Sequence, residues 1–256
     1  MDHSLLHTIW RWFHGAYALT ALAVLLVLAA LLVLIVPRLS WRRALTRNVA
    51  RLWLWLARIR VSIRGVEQLP AGSCVLVANH SSYLDGVVMK AALPPRFSFV
   101  IKREAASMPV MGVLLRRIGS EFVDRHTRGG RHRDAKRVVR RAGEGHSLVF
   151  FPEGTFDEQV GLKRFHIGAF VAAARGGAPV VPAVIHGTRR SMPSGALVPR
   201  PGRVIVEFLA PIEMPASGGS AERLRDEARR LILAQLDEPD LAPAQAARTP
   251  AESGGG

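Results

Sequence analysis

The chain has 256 residues, 49% hydrophobic and 21% charged, with a formal net charge of +15. That length is ample for one domain with a sizeable core plus an appendage, and the apolar content excludes a mostly disordered chain. A single cysteine, Cys74, excludes an intramolecular disulfide and a cysteine-built zinc cage.

The first predicted element is apolar. Ala16 to Val36 is a run of 21 residues whose only side-chain polar atoms are the hydroxyls of Tyr17 and Thr20. A bilayer core takes roughly 20 such residues as a helix, which satisfies its own backbone hydrogen bonds. Pro37 ends the run by pushing Val36 out of the α region. Pro37-Arg38-Leu39 does not read as a signal-peptide cut site. The segment either crosses the bilayer or dips into one leaflet. Residues 37–65 carry eight arginines and no acid, so the large C-terminal part is expected on the cytoplasmic side. Within that stretch Trp41 to Arg60 alternates apolar positions and arginines at helical spacing. Its tryptophans suit a headgroup layer and its charge suits anionic lipid. The expected organisation is an anchor over 1–65, a globular domain over 66–237 and a disordered tail over 238–256.

From Val66 onward, strand-length apolar runs alternate with helical stretches. The expected strands are Cys74–Ala78, Phe97–Ile101, Glu121–Val123, Ser147–Phe151, Val180–Ile185 and Val204–Leu209. The expected helices are Asp85–Ala92, Ala105–Ile118, Arg133–Ala142, Ile167–Arg175 and Ala221–Leu236, the last capped by Ser220. Several strand runs are apolar without alternation, as in strands covered on both faces. The fold class is α/β, a mostly parallel or mixed sheet flanked by helices behind a membrane-anchoring helix or two-helix segment.

Sites in such sheets lie beyond the carboxyl ends of strands. The strand at Cys74–Ala78 runs into Asn79-His80-Ser81-Ser82-Tyr83-Leu84-Asp85. An acid five residues after a histidine can fix its tautomer and leave the other nitrogen as a base. Five residues of ideal helix turn by about 140°, so the pair needs a turn, for which Ser81-Ser82 is suited. A second strand end runs into Pro152-Glu153-Gly154-Thr155, where Gly154 admits a close ligand and Thr155 offers a hydroxyl. Between them Gly119 through Arg125 closes a strand on a guanidinium suited to phosphate. No metal-ligand spacing and no nucleotide loop is present.

In this order the blocks resemble the 1-acylglycerol-3-phosphate acyltransferases and their glycerolipid acyltransferase relatives. The resemblance runs from Val61 to Glu213 and includes Val180 through Ile185, with Lys102 and Pro109-x-x-Gly112 also fitting. It implies acyl transfer from a thioester, on coenzyme A or acyl carrier protein, to a lysophospholipid hydroxyl, with no bound cofactor. By the same resemblance His80 is the general base and Asp85 its orienting partner. Asn79, Lys102, Arg125, Glu153, Gly154 and Thr155 would form the substrate site. The family often places an arginine where Phe156 stands, so the phosphate contact would pass to Lys163 or Arg164. This leaves other lysophospholipids and lyso-aminolipids open beside 1-acylglycerol-3-phosphate. The implied partners are membrane lipids, the lysolipid and the acyl donor. Two other readings stand beside it. One is a thioester or lipid hydrolase using the same pair. The other is a basic membrane protein without activity that binds anionic lipid or nucleic acid, although no helix-turn-helix, zinc-finger or aromatic stacking signature appears.

Overall fold

The computed structural model describes residues 3–124, 128–214 and 220–242. Two helices lead the chain, α1 (His3–Ile35) and α2 (Leu39–Leu56). Seven strands follow: β1 (Ile59–Arg64), β2 (Val75–Ala78), β3 (Ser98–Lys102), β4 (Glu121–Val123), β5 (Leu148–Phe150), β6 (Val180–His186) and β7 (Gly202–Phe208). They form one sheet in the order β1-β7-β6-β2-β5-β3-β4. All pairings are parallel except β6 with β7, so the sheet is mixed, as the sequence predicts.

Helices cover both faces. Successive strand residues point to opposite sides, and both sides are filled, which is why the runs are apolar throughout. Leu76, Ala78, Val181, Ile185 and Val206 pack under α1, α2 and α3 (Leu84–Ala92), against Trp53, Val88 and Met89. Val75, Val77, Val180 and Val184 face α6 (Gly168–Gly176) and α8 (Ala221–Gln235), where Phe170, Leu224 and Ile232 are buried. Each buried valine, leucine, isoleucine, methionine or phenylalanine among these contributes about 2 kcal/mol. Ser220 caps α8, its hydroxyl accepting the Arg223 N–H at 3.0 Å.

Several boundaries differ from the sequence reading. The amphipathic stretch predicted to Arg60 ends at Leu56, and Ile59–Arg64 joins the sheet beside β7. The globular sheet therefore begins inside the segment assigned to the anchor. The helix predicted over 105–118 is broken. At Val110, φ is +59° and the Met111 N–H bonds to the Pro109 carbonyl at 2.5 Å, a γ-turn that delays α4 to Met111–Arg117. The tail, expected to be disordered from 238, is packed at its start. Leu241 is buried, its N–H bonds to the Leu162 carbonyl at 3.0 Å, and Asp240 pairs with Arg229. Residues 243–256 lie outside the described residues.

The helix α1 lies along the domain. Its Ala18 carbonyl accepts the Trp53 indole N–H at 2.8 Å, and its Leu34 carbonyl accepts Arg117 Nη2 at 2.8 Å. Ala29 and Val33 pack against Leu114 and Ile118. The other side of the helix exposes Val24, Val27, Leu28, Leu31, Leu32 and Ile35.

Candidate active site

The carboxyl ends of β2, β5 and β3 lie side by side because these strands are parallel neighbours. His80 follows β2 by two residues. A turn at Ser81-Ser82 carries the chain into α3, whose first turn holds Asp85. Asp85 Oδ2 accepts the Ser81 N–H at 2.7 Å, the Ser82 N–H at 2.8 Å and His80 Nδ1 at 2.8 Å. These bonds resolve the divergence expected of an ideal helix, because His80 sits before the turn and the carboxylate reaches back under it.

Asp85 is fully buried, whereas the His80 side chain is 18% exposed. With the carboxylate as acceptor, Nδ1 carries a proton, and in the neutral imidazole Nε2 is then the nitrogen with the free lone pair. Nε2 has no hydrogen-bond partner among the described residues. The imidazole stacks on Phe151 at 4.4 Å and meets the edge of Phe156 at 4.6 Å. Phe156 in turn touches Tyr83 at 4.7 Å. The aromatic ring at position 156 thus lies against the imidazole itself. Tyr83 also lines an apolar cavity of about 280 Å³ bounded by Leu26, Trp53, Val87, Ile101 and Leu115.

Glu153 follows β5 and is buried. Its Oε1 accepts the His80 main-chain N–H at 2.6 Å and its Oε2 accepts the Lys163 N–H at 2.9 Å. Burial pushes the carboxyl up from 4.5 to about 7, against the pull of those two donors. Glu153 therefore holds two loops together, with one internal main-chain donor on each oxygen. Gly154, at φ +80°, turns the chain outward to an exposed Thr155.

Asn79 is also held from within the fold. Its Nδ2 donates to the Ile185 carbonyl at 3.0 Å and its Oδ1 accepts the Ile185 N–H at 2.7 Å. That amide ties β2 to β6. Lys163 does not stand in for a missing arginine, because its buried ammonium pairs with Asp157 at 2.5 Å. Lys102 ends β3, exposed, on the same edge as His80 but two strands along. Arg125 lies outside the described residues. Sequence reasoning missed Thr188, whose hydroxyl meets that of Ser81 at 3.2 Å, and Met192, whose carbonyl accepts the Ser82 hydroxyl at 2.6 Å. Both come from a segment more than a hundred residues away, and no local pattern announces them.

Comparison with known proteins agrees with this architecture. The profile of the Acyltransferase family matches residues 60–186. A chloroplastic 1-acyl-sn-glycerol-3-phosphate acyltransferase of Brassica napus is 33% identical over 205 residues, covering 77% of this chain and 58% of the relative. One from Arabidopsis thaliana is 31% identical over 224 residues, covering 85% and 61%, so the chain spans about three fifths of these plant relatives. The 1-acyl-sn-glycerol-3-phosphate acyltransferase of Haemophilus influenzae is 31% identical over 179 residues, covering 67% of this chain and 73% of the relative. The crystal structure of the 1-acyl-sn-glycerophosphate acyltransferase of Thermotoga maritima shares the fold. Its TM-score is 0.76 at 20% identity, over 95% of this chain and 99% of that one. By its sequence relatives, the chain belongs to the acyltransferase family that includes the 1-acyl-sn-glycerol-3-phosphate acyltransferases.

Proposed function

We propose that this chain transfers a fatty acyl group from a thioester, on coenzyme A or acyl carrier protein, to the free hydroxyl of a membrane lysophospholipid, with 1-acylglycerol-3-phosphate the first acceptor to test. One observation carries the reading: an imidazole whose Nδ1 is held by a buried carboxylate at 2.8 Å, with Nε2 unengaged at a strand end. Nε2 takes the hydroxyl proton as the oxygen attacks the thioester carbonyl. The tetrahedral adduct collapses, the C–S bond breaks, and the imidazolium returns its proton to the leaving thiolate. Asp85 stabilises the imidazolium between the two steps. The apolar cavity beside Tyr83 suits an acyl chain. Arg125 and Lys102 are the cations assigned to an acceptor phosphate, and Thr155 offers a hydroxyl.

The acceptor is an amphiphile, so the site belongs near the bilayer surface. The helix α1 is tied to the domain from Ala18 to Leu34 and exposes its other side. A helix held along its length against a water-facing domain is suited to lie in one leaflet. Such a helix carries nothing across, so the domain stays on the cytoplasmic side.

The test is a panel of lysolipids with both thioester carriers, scored by product mass. His80→Ala should lower turnover about a hundredfold or more, in line with general base catalysis. Near-normal turnover in that variant would rule out the mechanism. Thioester cleavage that is equally fast without a lysolipid would identify a hydrolase instead.

A further inference from the structure

The arginine excess is not spread evenly. On α5 (Arg128–Gly143) two are paired with buried acids: Arg137 with Glu121 at 3.1 Å and Asp134 at 2.9 Å, and Arg141 with Glu121 at 3.0 Å. A second group is not. Arg58, Arg60 and Arg203 are exposed, and among the described residues their guanidiniums make no hydrogen bond or ion pair. All three line one open groove of about 910 Å³ where α2 passes into β1 beside the start of β7. Leu54, Trp55 and Ile63 supply its apolar wall, and no acidic side chain lines it. Past Trp55 and Arg58 the groove continues into a hollow of about 490 Å³ faced by Trp10, Phe13 and Tyr17 of α1.

The backbone adds a second observation. Arg58 has φ +54°, the left-handed region that glycine fills at a helix end. An arginine there keeps a strained main chain and gains only its side chain, which reaches the groove.

We infer that this groove is a binding site for the phosphate of an anionic phospholipid, with the lipid's glycerol and upper chain region resting on the tryptophan wall. Three unpaired guanidiniums call for an anion, and forked donors match phosphate. Apolar and aromatic walls call for a ligand that is also greasy. The groove and the hollow share Trp55 and Arg58, and Trp12 and Trp55 stand exposed on α1 and α2, a setting that suits a headgroup layer. The inference does not depend on chemistry at His80.

Sedimentation of the full chain with phosphatidylcholine vesicles, with and without phosphatidylglycerol, tests it. Arg58→Gln, Arg60→Gln and Arg203→Gln together should lower affinity for the anionic vesicles by about fivefold per arginine, on the order of a hundredfold in all. Affinity for neutral vesicles should not change. The control removes Arg175, Arg223 and Arg230, which lie on α6 and α8 across the sheet, and should cost much less. An equal loss in the control would reduce the groove to bulk charge and overturn the site. A soluble arm uses coenzyme A without vesicles. If the triple variant loses coenzyme A binding but keeps its anionic-vesicle affinity, the site serves a soluble phosphate and the inference fails. Arg58→Gly guards against misfolding: it should raise the melting temperature by relieving the backbone while weakening anionic-vesicle binding about fivefold. A rise in stability with unchanged vesicle binding would remove Arg58 from the site.

Discussion

Asp85 and Glu153 are both buried acids at neighbouring strand ends, and both hold His80, but by different handles. Asp85 takes three donors on one oxygen, including the imidazole, while its other oxygen, Oδ1, is buried without a hydrogen bond. Glu153 takes one main-chain N–H on each oxygen, from His80 and from Lys163. One acid therefore acts on the ring, where charge develops during proton transfer. The other acts on the backbone, where it fixes where the ring stands. The same side-chain chemistry yields an electrostatic partner in one place and a clamp in the other, and the choice is made by which donors the fold supplies.

The largest expected effect separates these two jobs. Asp85→Asn keeps an oxygen for the Ser81 and Ser82 N–H groups and removes the charge that steadies the imidazolium. Turnover at saturating substrate should fall about a thousandfold with a modest loss of stability. Glu153→Gln should do the reverse. Its amide sets an NH2 against one of the two N–H donors, costing about 1–3 kcal/mol of stability, with turnover per folded molecule falling less than tenfold. Steady-state kinetics beside a denaturation curve reads both. A thousandfold kinetic loss in the glutamine variant with its fold intact would erase the division.

A third residue of this region belongs with the clamp. Asn79→Ala removes two buried hydrogen bonds to Ile185 and should cost about 2 kcal/mol in a urea titration. The Michaelis constant for the lysolipid should not move. A several-fold rise in it, at unchanged stability, would return Asn79 to the substrate.

The sheet was legible because both its faces are buried, which forces unbroken apolar runs at Val75–Ala78 and Val180–Ile185 that no surface strand shows. The His80–Asp85 pair was legible through the family resemblance of its block, and the serine turn between its two residues made the contact possible. The internal partners of Asn79 and Glu153 were hidden for the opposite reason. Their partners, Ile185 and Lys163, are set by strand order and loop packing, so an internal clamp looks the same in sequence as a substrate contact. The edge strand Ile59–Arg64 was hidden by its arginines, which continue the helical spacing of the segment before it. Its place in the sheet comes from pairing with Gly202–Glu207 across the chain. The break before α4 was missed because Val110 in a left-handed conformation contradicts its own preference.

The smallest expected effect is a slope. Burial raises the Glu153 carboxyl from 4.5 to about 7, so between those values the folded chain holds a proton that the unfolded chain has lost. Stability from this group is then full below pH 4.5 and is lost as pH rises through 7. The slope is at most about 1.4 kcal/mol per pH unit. Unfolding free energies of the wild type and Glu153→Gln, measured at intervals across that range, should converge or cross as pH rises, because only the wild type carries the titrating group. A wild type that instead gains on the variant with rising pH would mean the carboxylate is ionised throughout. The N–H groups of His80 and Lys163 would then outweigh burial, making the clamp a charged anchor.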